Sequence, residues 1–188
     1  MTQDTLTRTS TTPSDAPEAD STTDAGSTPV VRTVGLERVH LTETLETAAL
    51  GGVDLTIEDG EFVAVMGPSG SGKSTLLNIL GLLDRPTGGR YELHGRDVTD
   101  LTARRRTDLR KEHMGFVFQA FNLIDELTVE ENVEMPLLYH GMSVDARRQR
   151  IDELLARIGL DHRKRHFPKQ LSGGQQQRVA VARAVATR

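Results

Sequence analysis

The feature that most restricts the fold of this chain is a glycine-rich loop directly after a short apolar run. The run is EFVAVM, residues 61–66, and the loop reads GPSGSGKST from Gly67 to Thr75. The loop matches the pattern G-x-x-x-x-G-K-[ST] at every fixed position. A helix with apolar residues at Leu76, Leu77, Ile79 and Leu80 is predicted to follow it. Strand, glycine loop and helix in this order predict a nucleotide-phosphate site in an α/β domain.

Each residue type in the loop suits phosphate binding. Glycines let the backbone curl so that successive N–H groups point at phosphate oxygens, and the following helix adds the positive end of its dipole. Lys73 is predicted to reach the β- and γ-phosphates as a candidate catalytic residue, and the Ser74 hydroxyl to bind Mg²⁺. The predicted ATP contacts in the loop are Gly67, Pro68, Ser69, Gly70, Ser71, Gly72, Lys73, Ser74 and Thr75.

Composition places the chain among cytosolic globular proteins. Its 188 residues suffice for one domain with a hydrophobic core. The absence of cysteine excludes disulfides and fits a reducing compartment. No apolar run approaches the roughly 18 residues that a membrane-spanning helix needs, and the N-terminus lacks the apolar region of a secretory signal. We therefore expect a cytoplasmic chain that can still dock on a membrane protein.

Charge and composition divide the chain into a tail and one domain. Residues 1–29 are rich in Thr, Ser, Asp and Pro, which predicts a disordered tail, and residues 30–188 form the predicted domain. The tail carries the whole net charge of −4, so the domain is formally neutral. Basic runs at 104–106 and 163–165 have no interleaved aromatic residues, so they predict solvated helix faces or acidic contacts rather than nucleic-acid binding.

Alternating strands and helices around the loop predict a largely parallel sheet. Short apolar or alternating stretches predict strands, and periodic stretches predict helices. The predicted strands are 33–41, 51–57, 61–66, a short one within 84–95, and MGFVFQ at 114–119. The predicted helices are 103–111, 128–141 and 143–160, the last with Ile151, Leu154, Leu155 and Ile158 on one face.

A second stretch also has the features of an anion site. In LSGGQQQRVAVARAVATR, Ser172 is a natural N-cap, followed by Gly173 and Gly174 and then a helical sequence. The hydroxyl and the first N–H groups of that helix can hold an anion. An ordinary capped helix explains the same residues, so these residues alone fit both an anion site and a capped helix.

Taken together, LSGGQ and GPSGSGKST resemble the ATP-binding subunits of ABC transporters. The resemblance runs from about Val34 to Arg188 and is nearest to the branch that drives lipoprotein release and macrolide-type export. It implies a P-loop NTPase fold with a RecA-like core, an antiparallel β subdomain and a helical signature subdomain at about 120–172. It also implies a second ATP-binding subunit, as in a homodimer, whose ATP would meet Ser172, Gly173, Gly174 and Gln175.

Two further roles follow from the resemblance. Gln119, at the end of FVFQ, corresponds to the glutamine that senses Mg²⁺ and the attacking water, which makes it the second candidate catalytic residue and a metal ligand. His40 stands where family members place an aromatic ring on the adenine. An imidazole offers less stacking area than tyrosine, and an ordinary exposed histidine is the alternative interpretation.

The sequence departs from the family in its acidic residues. The family's Walker B aspartate, the neighbouring glutamate and the switch histidine follow the signature helix, but no acidic residue lies between Leu171 and Arg188. Asp125 and Glu126 follow apolar residues, yet Asn122 interrupts that run, so they are poor substitutes. We expect a chain truncated before Walker B that binds Mg·ATP poorly to moderately and hydrolyses it very slowly.

The resemblance predicts an exporter subunit that couples ATP binding and hydrolysis to an integral membrane permease, from the inner face of the membrane. A non-transport ABC-class ATPase of cell division or DNA repair is the alternative. A P-loop small-molecule kinase is a third hypothesis, which LSGGQ disfavours.

Overall fold

The computed structural model describes residues 28–41 and 46–188. The predicted tail therefore lies outside the described residues, apart from its last two positions. The described residues form two compact units that divide between Arg106 and Thr107, and these are called the N-terminal and C-terminal units. The predicted domain at 30–188 and the predicted helical subdomain at 120–172 stay predictions.

The N-terminal unit is built on an antiparallel sheet with the strand order β2-β1-β3-β4. Its strands are β1 (Val31–Leu41), β2 (Glu46–Ile57), β3 (Gly88–Leu93) and β4 (Arg96–Asp97). β1 and β2 form a long hairpin whose register shifts in three places, which is expected where bulges add twist. The predicted strands at 33–41, 51–57 and within 84–95 are confirmed.

Helix α1 (Lys73–Leu80) is held to the sheet through its last turn. Leu76 and Ile79 of α1 are buried, as are Leu36 of β1 and Tyr91 of β3. The hydroxyl of Tyr91 donates a hydrogen bond of 2.7 Å to the carbonyl of Leu80, and burial raises the pKa of this phenol above its usual range. The phenol therefore stays protonated and fixes the helix that follows the phosphate loop.

The predicted largely parallel sheet is not found among the described residues, where every paired strand runs antiparallel. Neither 61–66 nor 114–119 forms a strand, so both strand predictions are wrong for this structure. Phe62 is 90% exposed and Val117 is 49% exposed. A β-strand is defined by a neighbour that completes its hydrogen-bond ladder, and no described segment pairs with either stretch.

The predicted helices at 103–111, 128–141 and 143–160 are confirmed with slightly different bounds. The helices are α2 (Ala103–His113), α3 (Val129–Tyr139), α4 (Val144–Arg157) and α5 (Gly173–Ala184), with single 3₁₀ turns at Asp161–Arg163 and Pro168–Gln170. The core of the C-terminal unit lies between α3, α4 and α5. Its buried residues include Val129, Val133, Leu137, Ile151, Leu154, Leu155, Leu160, Val179 and Ala182.

One buried polar residue organises the segment that enters α3. The side-chain oxygen of Asn132 accepts a hydrogen bond of 2.8 Å from the N–H of Ile124. Its amide group lies within 3.1 Å of the carbonyls of Ile124, Leu127 and Thr128, and the side chain has no exposed surface. Because an amide has only two hydrogens, these carbonyls share them, and Asn132 fixes the turn before α3 from inside.

Candidate functional site

The phosphate loop has a backbone that only glycine adopts easily. Gly67, Gly70 and Gly72 have φ values of 153°, 82° and 86°. At Gly72 the loop also passes close to β2, because an added Cβ would lie 2.3 Å from the carbonyl oxygen of Ala49. Gly72 is therefore required by both its conformation and its surroundings.

Lys73 is folded back over this loop. Its ammonium donates hydrogen bonds of 2.9 Å to the carbonyl of Gly67 and 2.5 Å to that of Pro68, and it lies 3.5 Å from the Ser71 hydroxyl. The loop thus carries a positive charge held by its own carbonyls. An ammonium is a compact charge with three donors, so it can exchange one of these acceptors for a phosphate oxygen.

No side chain caps the N-terminus of α1. Its N-cap is Gly72, without a capping hydrogen bond, and its first turn has no acidic residue. By contrast, α3, α4 and α5 are capped by Thr128, Ser143 and Ser172. The first N–H groups of any α-helix lack partners within the helix, so those of Lys73, Ser74 and Thr75 need an acceptor from elsewhere. A phosphate fits that need.

A cavity of about 500 Å³ adjoins the loop. One wall is the stretch of β2 from Ala49 to Asp54, and the other includes residues 65–68 and 71–73. The hydroxyl-bearing Ser74, the predicted Mg²⁺ ligand, is exposed beside them. Hydroxyl oxygen is a ligand type that Mg²⁺ accepts, and the loop's lysine and uncapped helix suit a triphosphate.

Only the backbone of His40 lies within the described part of the structure. It lies in β1 opposite Thr47 of β2, and its side chain lies outside the described residues. The predicted stacking of His40 on adenine therefore stays a prediction.

Gln119 lies in an exposed turn of the C-terminal unit rather than at the end of a strand. The next residues turn sharply, because Phe121 and Asn122 have φ values of 60° and 47°. Such left-handed conformations are uncommon outside glycine and need support from their surroundings. Asp125 and Glu126 follow in another exposed turn with no strand before it, which gives no support to a Walker B role.

The support for this turn comes from Arg183 in the last turn of α5. Its guanidinium donates hydrogen bonds of 2.6 Å to the carbonyl of Asn122 and 2.7 Å to that of Phe121. Burial lowers the pKa of Arg183 from its ordinary value, yet a guanidinium stays charged at neutral pH. Sequence reasoning missed this contact, although an arginine inside the apolar stretch VAVARAVA was a signal that its charge has a partner.

The N-terminus of α5 differs from that of α1, because its own side chains cap it. The Ser172 hydroxyl accepts from the N–H of Gln175 at 3.4 Å, and the Gln175 side chain accepts from the N–H of Ser172 at 2.9 Å. Because the hydroxyl of Ser172 acts as the acceptor in this bond, its proton is available for a further hydrogen bond. Gly173 and Gly174 are exposed, and an added Cβ at either would meet nothing within 4 Å. The fold of this chain therefore does not require these two glycines.

The family model described as "ABC transporter" matches residues 50–188, which include both the phosphate loop and the start of α5. The chain belongs to the ABC transporter family. The macrolide export ATP-binding/permease protein MacB of Rhodopseudomonas palustris (strain BisB18) is 54% identical over 161 residues, and that of Hyphomonas neptunium 51% identical over 157 residues. These matches cover 86% and 84% of this chain, but the chain spans only 24% of either relative.

Solved structures agree with this assignment. The dimeric post-hydrolysis structure of the ATP-binding cassette MJ0796 with ADP and Pi has a TM-score of 0.76 and 47% identity to this ABC family chain. A second dimeric MJ0796 structure has the same TM-score and 46% identity. Each comparison covers 83% of this chain and 69% of the solved one. The fold is that of an ABC ATPase cassette. Within residues 28–41 and 46–188, no helix has the length and apolarity needed to cross a membrane.

Proposed function

We propose that this chain is the ATP-binding cassette of an exporter and binds Mg·ATP in the loop from Gly67 to Thr75. The uncapped N-terminus of α1, next to the ammonium of Lys73, is the observation that carries the proposal. Among the helices described with their caps, α3, α4 and α5 satisfy their first N–H groups with their own side chains. The corresponding groups of α1 are left for a ligand.

Different residues of the site would bind different parts of Mg·ATP. Lys73 would exchange a loop carbonyl for the β- and γ-phosphate oxygens, and Ser74 and Gln119 would supply oxygen ligands to Mg²⁺. When bound, Mg²⁺ would neutralise charge on the phosphates. Gln119 would also orient the attacking water, and His40 would lie against the adenine.

We further propose that the start of α5 serves the ATP of a second subunit. Ser172, Gly173, Gly174 and Gln175 would contact that nucleotide, and two copies of this chain would enclose two ATP molecules. The dimeric form of the solved cassettes supports this arrangement. ATP would favour the closed dimer over the open one by its higher affinity for the closed state.

The names of the matched relatives support a transport role at a membrane. Each combines an ATP-binding part with a permease and is a macrolide export protein by name. We propose that this cassette acts on the cytoplasmic face of the membrane and drives a permease of macrolide-type export. The closing of the dimer would be the motion passed to the permease.

Replacing Lys73 by alanine tests the nucleotide site. Charged hydrogen bonds contribute about 1.5–3 kcal/mol, so the affinity for ATP should fall by roughly tenfold to a hundredfold. Titration of the full chain with a fluorescent ATP analogue measures it. Lys169→Ala, which removes an exposed lysine from the turn Pro168–Gln170, is the control and should bind like the parent. Equal affinity of Lys73→Ala and the parent would contradict the proposed site.

Replacing Gly174 by glutamate tests the proposed dimer contact independently of the stability of the fold. The change removes a glycine from the first turn of α5 and adds an acidic residue there, so stability should rise by about 1 kcal/mol. The same carboxylate should repel a partner's phosphate, so the ATP-dependent dimer should be lost. Thermal unfolding measures the first effect, and sedimentation with Mg·ATP the second.

Gly141→Ala is the matched control for stability. Its Cβ would also meet nothing within 4 Å, but Gly141 has a φ of 67°, so alanine there should destabilise by about 1 kcal/mol. A Gly174→Glu chain that still dimerises with ATP like the parent would contradict the role given to the start of α5.

A further inference from the structure

The end of α5 contacts the segment around Gln119 on both of its sides. After Gln119, the guanidinium of Arg183 binds the carbonyls of Phe121 and Asn122. Before it, the backbone at Gly115 approaches the end of α5 so closely that an added Cβ would lie 2.1 Å from the carbonyl oxygen of Ala184. The exposed turn at Gln119 is therefore held between two contacts with one helix.

The end of α5 that makes these contacts is itself well fixed. Val179, Ala180 and Ala182 are buried, so the helix is anchored in the core. Arg150 of α4 donates to the carbonyls of Val185 and Ala186 at 3.1 Å and 3.0 Å, which closes the C-terminus of α5. Carbonyls at a helix end need such partners, and here they come from a neighbouring helix.

The turn that Arg183 holds is not one that its sequence favours. Two successive non-glycine residues, Phe121 and Asn122, are left-handed, a conformation that persists where surrounding contacts determine it. The planar guanidinium offers two parallel N–H donors, which match the two successive carbonyls of this turn. Downstream, Asn132 fixes Ile124. Without Arg183, the stretch between Gln119 and Ile124 would lose these two hydrogen bonds to α5.

We propose that Arg183 is a positioning residue for Gln119, and that it holds the turn of Gln119 at the end of α5 by binding the carbonyls of Phe121 and Asn122. The proposal rests on the proposed function, since it assigns to Arg183 the placement of the residue that meets Mg²⁺. Arg183 itself would not touch the nucleotide. Its effect on ATP binding passes through Gln119.

The test measures the affinity for a fluorescent ATP analogue with and without Mg²⁺, on the full chain. Arg183→Gln should lower the gain in affinity that Mg²⁺ provides by roughly threefold to tenfold, and leave the Mg²⁺-free affinity unchanged. Gln119→Ala should have the same effect. The double variant should be no worse than either single variant, because both changes remove one interaction.

Arg178→Gln is the matched control, because Arg178 also lies in α5 and donates to a backbone carbonyl, that of Ile158 at 2.6 Å. If Arg183 had only a structural role, Arg183→Gln and Arg178→Gln should both unfold at a lower temperature. Neither should then change the gain in affinity that Mg²⁺ provides. Arg183→Lys keeps the positive charge and can donate to one of the two carbonyls. Its Mg²⁺ response should therefore lie between those of Arg183→Gln and the parent.

The outcomes separate this inference from the proposed function. A parent chain that does not bind the ATP analogue would overturn the proposed function and this role with it. A parent that binds, together with an Arg183→Gln variant that matches Arg178→Gln, would overturn the role of Arg183 alone. Additive losses in the double variant would do the same. If Arg183→Gln does not fold, Arg183→Lys takes its place, and a Mg²⁺ response of Arg183→Lys equal to that of the parent would overturn the role.

Discussion

Replacing Asn132 by alanine is expected to destabilise the C-terminal unit by about 3–5 kcal/mol. The side chain is fully buried, and its removal would leave the N–H of Ile124 without its acceptor and the carbonyl of Leu127 without its donor. The carbonyl of Ile124 would keep only the N–H of Leu127. Each buried group left unsatisfied costs about 1–3 kcal/mol, and a cavity adds to this. Chemical denaturation monitored by circular dichroism measures the change.

Asn78→Ala serves as the control for this experiment. Asn78 lies in α1 and is exposed, so alanine there should leave stability unchanged or raise it slightly through its higher helix propensity. If Asn132→Ala unfolded at the same denaturant concentration as the parent, the turn before α3 would have to be fixed by other contacts.

Replacing Gly72 by alanine is expected to disrupt the phosphate loop. Alanine would need a left-handed backbone at φ 86°, and its Cβ would overlap the backbone carbonyl of Ala49. A backbone atom cannot rotate away as a side chain can, so the loop would have to move off β2. We expect a loss of stability of about 2–4 kcal/mol and a drop in affinity for ATP of roughly tenfold or more.

Gly70→Ala is the control that shows the effect of backbone strain without the overlap with Ala49. Gly70 has nearly the same backbone conformation, with φ 82°, but an added Cβ there would meet nothing within 4 Å. It should therefore cost only the strain of a left-handed alanine, about 1–2 kcal/mol. Equal effects of the two substitutions, measured by thermal unfolding and ATP titration, would show that the approach of Gly72 to Ala49 is unimportant.

The sequence was most informative where local chemistry decides the structure. The strands within β1 and β2 were predicted at 33–41 and 51–57. Helices α3, α4 and α5 begin at Thr128, Ser143 and Ser172, which are good N-caps. The phosphate loop is recognisable because its glycines and lysine occupy fixed spacings. These features depend on neighbours within a few residues of each other.

Features that depend on distant partners could not be predicted in the same way. The runs at 61–66 and 114–119 are as apolar as a buried strand, but apolarity does not supply the neighbouring strand that a ladder needs. The contact of Arg183 with Phe121 joins residues 62 positions apart, and no local pattern specifies it. Asn132 looks like an ordinary helix residue until its burial is known.

The two contacts of α5 on either side of Gln119 have a mechanical consequence. An α-helix of 12 residues is about 18 Å long and behaves as a stiff rod on the scale of a side-chain contact. A tilt that moves Ser172 at one end must move Arg183 at the other, and the carbonyls of Phe121 and Asn122 must follow or release it. A displacement of Ser172 by a contact outside this chain would therefore be passed along α5 to the turn at Gln119.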